Sequence, residues 1–199
     1  GDLLGADQSG FINDLGFETY QKVLNEAIEE LKIEKFKELF SEEEEHFYVK
    51  DCQLDTDLEI LIPESYISNI SERLNLYKEL NNFTEEKEIT TFIERLKDRF
   101  GEIPKAINNV CDALRLKWHA KQLGFERIIL KNDKMRAYFP SKADSPYYNS
   151  DIFKKVLEYI KINFKTCKII EKKGKLSIQI KNISTLKKAL HICNYISKS

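Results

Sequence analysis

Glycine and proline are scarce in this 199-residue chain, at 7 and 4. That excludes collagen-like and low-complexity architectures. Methionine and tryptophan occur once each, as Met135 and Trp118. No apolar run approaches the roughly 20 residues needed to span a bilayer, and no basic-then-apolar leader opens the chain. The first residue is Gly1 and the lone methionine is internal, so the chain is expected to be cut from a longer protein. The three histidines, His46, His119 and His191, do not pair at metal-ligand spacing. Cys52, Cys111, Cys167 and Cys193 are too far apart for any C-x-x-C or zinc pattern. They are expected as reduced, buried thiols of a cytosolic protein.

What is present suits one domain, or one domain with an appendage. The apolar share of 42% can build a core, and 33% of residues are charged. The net charge is only −1 but it is unevenly placed. Residues 1–60 carry a net −12, residues 61–130 are neutral, and residues 131–199 carry +11. Of the 16 basic residues in the last segment, only Arg136 is arginine. A basic end reads as a phosphate-binding face, as a solvated lysine surface, or as a contact for an acidic surface elsewhere in the longer protein. Charge alone does not choose among them.

Four glycines among residues 1–16 make an irregular start. Phe17 to Lys32 carries one helical apolar stripe. The run from Lys35 to Glu45 ends in SEEEE and reads as a solvated linker. It divides a segment 1–45 from a domain 46–199. Tyr48 to Ile62 is β-prone around Asp51, Asp55 and Asp57. These lack the glycine and the spacing of a calcium loop, so they read as solvent-facing strand carboxylates. Pro63 ends that stretch. Ile67, Ile70, Leu74 and Tyr77 predict one helical stripe through Leu80. Thr84-Glu85-Glu86 places acid at the start of a helix running to Phe100, although Thr84 with Lys87 is no capping box. Gly101 stops that helix, Pro104 opens the next, and Lys105 to Leu123 is a long helix closed by Gly124.

Two hairpins follow, turning at Asn132-Asp133 and Lys173-Gly174, with helices over Ile152 to Ile162 and Ile183 to Ile196. The fold class is therefore α+β: a helical block, then two β-hairpins interleaved with helices. No phosphate loop, dinucleotide fingerprint, nucleophile elbow or H-E-x-x-H motif is present. His191 and Cys193 fall on different faces of their helix. No catalytic residue, metal ligand or cofactor-binding residue is identified.

Two blocks resemble a known family. Gly1 to Phe17, GDLLGADQSGFINDLGF, resembles the end of the second motor lobe of the transcription-repair coupling factors and their branch-migrating helicase relatives. There the pattern R-G-x-G-[DE]-[LFI]-L-G-x-x-Q-S-G precedes a helix. The stretch ILIPESYISNISER, then LNLYKEL, then LKDRFGEIP, is similar to the C-terminal domain of the coupling factors. That domain shows I-P-x-x-Y-I, R-L-x-x-Y-K and D-R-F-G-x-x-P in this order. The helicase relatives lack this second block.

The resemblance implies a regulatory C-terminal module of a bacterial ATP-driven translocase on double-stranded DNA. The whole protein would remove stalled RNA polymerase and recruit UvrA for excision repair. ATP and magnesium would belong to the motor, with no cofactor in this fragment. The module would pack on the N-terminal repair-binding module of the same protein and hide the UvrA-binding surface. Gln8 matches the glutamine that links ATP hydrolysis to translocation, although the motif's arginine would precede Gly1. Asp98 matches an acidic position at the autoinhibitory contact. Three residues earlier the family can carry another acid, but here Arg95 stands there with Glu94 beside it, so Asp98, Glu94 and Arg95 together are the expected interdomain contact. A local alternative is a surface pair of Asp98 with Arg95. Tyr66, Arg73, Tyr77, Lys78, Arg99, Phe100 and Pro104 read as fold-defining. A rival reading is a DNA-binding accessory module using the lysines from Lys165 to Lys188.

Overall fold

The structure, a computed structural model, describes residues 47–198. They fall in the second of two compact units, Phe47–Ser199. The expectations for segment 1–45, Gln8 included, lie outside the described residues.

Strand β1 (Gln53–Thr56) comes first, then helices α1 (Ile70–Asn81), α2 (Glu86–Phe100) and α3 (Lys105–Gln122). Strands β2 (Arg127–Lys131) and β3 (Lys134–Tyr138) form the first hairpin. A 3₁₀ turn (Pro146–Asn149) leads into α4 (Asp151–Ile162). Strands β4 (Cys167–Lys172) and β5 (Lys175–Lys181) form the second hairpin, and α5 (Leu186–Lys198) closes the chain. The fold is α+β, with the helical block and the interleaved hairpins expected from the sequence.

The strands make one mixed sheet in the order β1-β2-β3-β5-β4. Strand β1 pairs parallel to β2, and every other pair is antiparallel. A parallel neighbour needs a long crossover, and α1 to α3 supply it. Both hairpins turn through two left-handed residues, Asn132 and Asp133 (φ 52° and 55°) and Lys173 and Gly174 (φ 53° and 70°). This is what a two-residue type I′ turn requires.

Local chemistry sets the helix ends. Asn69 Oδ1 accepts from Glu72 N–H to start α1, and Ser150 Oγ accepts from Phe153 N–H to start α4. At α2 the cap is Glu85, and the Glu88 carboxylate accepts from the N–H groups of both Thr84 and Glu85. A capping box is therefore present, one residue later than the Thr84 frame that the sequence excludes.

Two apolar clusters share α3. Ile107 and Cys111 join a small cluster with Ile62, Ile67, Leu76, Leu80, Phe92 and Leu96. Ala113, Leu116 and Ala120 join a larger one beneath the sheet, with Ile128, Leu130, Met135, Ile178 and Ile180 and with residues of α4 and α5. One expected stripe is corrected. Ile70 and Leu74 are 64% and 54% exposed, while Leu76 is buried together with the expected Leu80. The helix begins only at Ile70, after the Asn69 cap. Ile67 is therefore buried from the preceding turn and does not set the helical phase.

Candidate functional site

The three motif strings converge on the α1–α2 junction. The Pro63 carbonyl accepts from the N–H groups of Tyr66 and Ile67, both at 3.0 Å, closing a turn. That turn aims the Tyr66 hydroxyl at the end of α2, where it donates to Gly101 O at 2.9 Å with Leu96 O at 3.1 Å. Burial pushes the Tyr66 phenol up from its ordinary value. The Tyr66 ring packs on Phe100, with centroids 5.7 Å apart. Arg73 Nη1 donates to the carbonyls of Ile67 and Ser68 at 2.7 and 2.9 Å. The Ile62 N–H donates to the Tyr77 hydroxyl at 2.6 Å. Gly101 sits at φ 86° with open space where a Cβ would be. It is needed for its backbone conformation, not for room. Tyr66, Arg73, Tyr77 and Phe100 are thus structural.

Charged side chains then tie the helices together. Arg95 on α2 bonds both carboxylate oxygens of Glu79 on α1, at 2.7 and 2.6 Å. Arg99 bonds Glu72 at 2.7 Å and lies 4.8 Å over the Phe100 ring. Arg115 on α3 donates through Nε to Glu86 at 2.8 Å and through Nη1 to Asp112 at 2.9 Å. The hydrogen bond from Arg115 holds the Glu86 carboxyl below its ordinary value.

These pairings decide where the site residues stand. Arg95 does not pair with Asp98, because its guanidinium already bridges to α1. Glu94 and Asp98 are exposed on α2, and neither carboxylate has a hydrogen bond or ion pair among the described residues. Four residues apart, they are neighbours on one helix face and repel by a few tenths of a kcal/mol, roughly 0.2–0.5. The arginines of α1 to α3 all have partners within the module. Glu94 and Asp98 are therefore unneutralised carboxylates on one face of α2 among the described residues. The Arg95 to Glu79 bond spans 16 positions, and nothing in the helix spacing announces it.

Of the acidic stretch, only Asp55 stands on a strand; Asp51 and Asp57 flank β1, which corrects the expectation that all three are strand carboxylates. Asp55 pairs with Lys131 at 2.7 Å and Arg127 at 3.3 Å, and the Lys131 hydrogen bond leads in lowering its carboxyl. Asp57 accepts from Asn132 N–H, and Asp51 pairs with Lys117 at 3.4 Å. Among the described residues no group of three His, Cys, Asp or Glu comes together to hold a metal. All four cysteines are buried and free. Burial is the leading cause that raises their thiols, to about 12 at Cys52 and Cys193 and about 11 at Cys111. Such thiols are not nucleophiles near neutral pH. His119 is pushed down, chiefly by burial, and its Nδ1 has no partner among the described residues. No described helix is long and apolar enough to cross a membrane.

Residues 56–150, which hold all three motif strings, the three helices and the first hairpin, match the TRCF domain family. The chain carries a TRCF domain. The transcription-repair-coupling factor of Rickettsia typhi is 31% identical over 160 residues, 80% of this chain and 13% of that protein. That of Bacillus subtilis is 31% identical over 153 residues, 77% of this chain and 12% of that protein. The chain thus spans about an eighth of the length of these relatives. A crystal structure of the C-terminal domain of a transcription-repair coupling factor superposes with a TM-score of 0.54 at 17% identity. It covers 75% of this chain and 96% of that one. At this identity the likeness is one of fold.

Proposed function

We propose that this chain is the regulatory C-terminal module of a transcription-repair coupling factor and has no catalytic chemistry of its own. In this reading Glu94 and Asp98 dock on a cationic surface of the N-terminal repair-binding module of the same protein. The observation that carries it is the pair of unpartnered carboxylates on α2, beside arginines that are all engaged internally. An exposed ionic contact suits a clamp that must release, because it adds specificity and salt sensitivity more than affinity. Closure hides the surface that receives UvrA and restrains the motor. ATP and magnesium act in that motor, which drives the longer protein along double-stranded DNA against stalled RNA polymerase in the bacterial cytoplasm.

Titration calorimetry of this chain against the N-terminal module tests the reading, with the two joined by a flexible linker if the separate pieces bind too weakly. Binding that weakens with salt and is lost in Asp98→Arg is the expected result. Absence of binding in the linked form would refute it.

A further inference from the structure

The sheet has one face on the apolar core and one that no described helix covers. On the core face lie Ile128, Leu130, Met135, Ala137, Ile178 and Ile180. The opposite face follows from register, because side chains alternate along a strand and paired residues share a side. Lys131 pairs with Lys134, and Lys134 pairs with Lys181, so three lysines stand in one row across β2, β3 and β5. The next row is Ile129, Arg136, Gln179 and Lys168. Lys172 stands opposite Lys175 on the same side. From β2 to β4 the strand residues of this face include no acid; Asp55 on β1 is engaged by Lys131 and Arg127, and Asp57 and Asp133 lie at the turn end of the lysine row, where Asp57 is held by Asn132 N–H.

Lysines on an edge strand commonly serve only to block aggregation. That accounts for Lys168 and Lys172 on β4. It does not account for Lys134 and Lys181, because β3 and β5 are interior strands. Like charges directly opposite each other destabilise a sheet. Neither of these two has an ion-pair partner among the described residues. Arg136 adds a fixed cation. Its Nε donates to Ser177 Oγ at 3.0 Å, its guanidinium lies 5.0 Å from the centre of the Tyr138 ring, and its shielded Nη2 has no partner among the described residues.

We propose that this face binds the phosphate backbone of duplex DNA without reading its sequence. Strand register fixes the spacing of the lysine stems, and ammonium groups that neutralise phosphates release counterions. Sequence readout would call for arginine forks free to reach base edges. Single-strand binding would call for open aromatic platforms. Here the one arginine of β3 is tied to Ser177, and the one tyrosine is covered by that arginine. The surface thus grips the backbone and does not specify. It involves no residue of α2, so it stands or falls apart from the clamp.

Fluorescence anisotropy with this chain and short labelled duplexes of two unrelated sequences provides the test, at about 50 to about 200 mM salt. Both duplexes are expected to bind alike, with log affinity falling linearly in log salt. The double variant Lys134→Ala/Lys181→Ala is expected to bind about tenfold more weakly and to lose about two from the salt slope. Lys87→Ala/Lys105→Ala removes the same charge from α2 and α3 and is expected to leave both unchanged. Thermal melts verify folding, and Lys134→Gln/Lys181→Gln, which removes the charge while keeping a polar side chain, is expected to weaken binding as the alanine pair does. No duplex binding at the lowest salt would overturn the proposal. So would equal loss in the α2/α3 control, or tighter binding of a single strand or of polyglutamate than of the duplex.

Discussion

Arg95 reaches across from α2 to grip both carboxylate oxygens of Glu79 on α1, at 2.7 and 2.6 Å. This bond takes Arg95 away from Asp98 on its own helix. Both partners are substantially exposed, so the pair is worth about 0.2–1 kcal/mol. A double-mutant cycle of Arg95→Ala and Glu79→Ala, read by urea denaturation, is expected to return a coupling in that range. Arg95→Ala is also expected to leave binding to the N-terminal module nearly unchanged, since its charge is already neutralised. A large loss of binding in Arg95→Ala would place the contact elsewhere on α2.

Tyr147 is fully buried and donates its hydroxyl to Leu123 O at 2.8 Å. Its ring occupies the space beside Gly124, which sits at φ 75° and where a Cβ would overlap the ring. Tyr147→Phe is expected to cost about 0.5–1.5 kcal/mol, the net worth of one hydrogen bond. Gly124→Ala adds steric overlap to an unfavourable backbone conformation and is expected to cost more, about 1–3 kcal/mol. Urea midpoints rank the two, and a Gly124→Ala protein as stable as the unsubstituted one would contradict this packing.

The ion pair of Glu86 with Arg115 gives stability a pH dependence of known sign. The Glu86 carboxyl is held below its ordinary value of 4.5 by the Arg115 hydrogen bond. Its contribution is therefore complete above the unfolded value and is lost as pH falls through the folded value. Glu86→Gln is expected to cost about 0.5–1 kcal/mol near neutral pH, as for an exposed pair. The difference from the unsubstituted chain should vanish once pH drops below the folded value. Denaturation curves at several pH values check it, and a gap that widens toward acid would contradict the assignment.

Burial raises all four thiols and leaves none near the surface. A disulfide reagent at neutral pH is expected to modify the native chain slowly at Cys52, Cys111, Cys167 and Cys193, and all four at once in denaturant. Fast labelling of any of these four in the native protein, located by mass spectrometry, would contradict the burial.

Much of this fold could be read from local signals. Asn132-Asp133 and Lys173-Gly174 announce their turns because few residue pairs tolerate two left-handed positions. Gly101 and Pro104 announce the break between α2 and α3 for the same kind of reason. The α1 stripe misled because Ile67 is apolar and buried but lies outside the helix. The parallel partner of β1 was not readable, since 70 residues separate Thr56 from Arg127 and only tertiary packing joins them. The site divides similarly. Asp98 is locatable within its motif string, whereas its lack of a partner depends on where the Arg95 side chain goes, which helix spacing does not reveal. The row of Lys131, Lys134 and Lys181 is equally hidden, because the register of three strands assembles it.

The central claim is that Asp98 helps hold the longer protein closed. The most direct measurement is the affinity of that full-length protein for UvrA, with and without Asp98→Arg. Tighter UvrA binding is expected in the variant, because its N-terminal surface would be freed. Equal affinity in the two proteins, both folded by thermal melt, would contradict it.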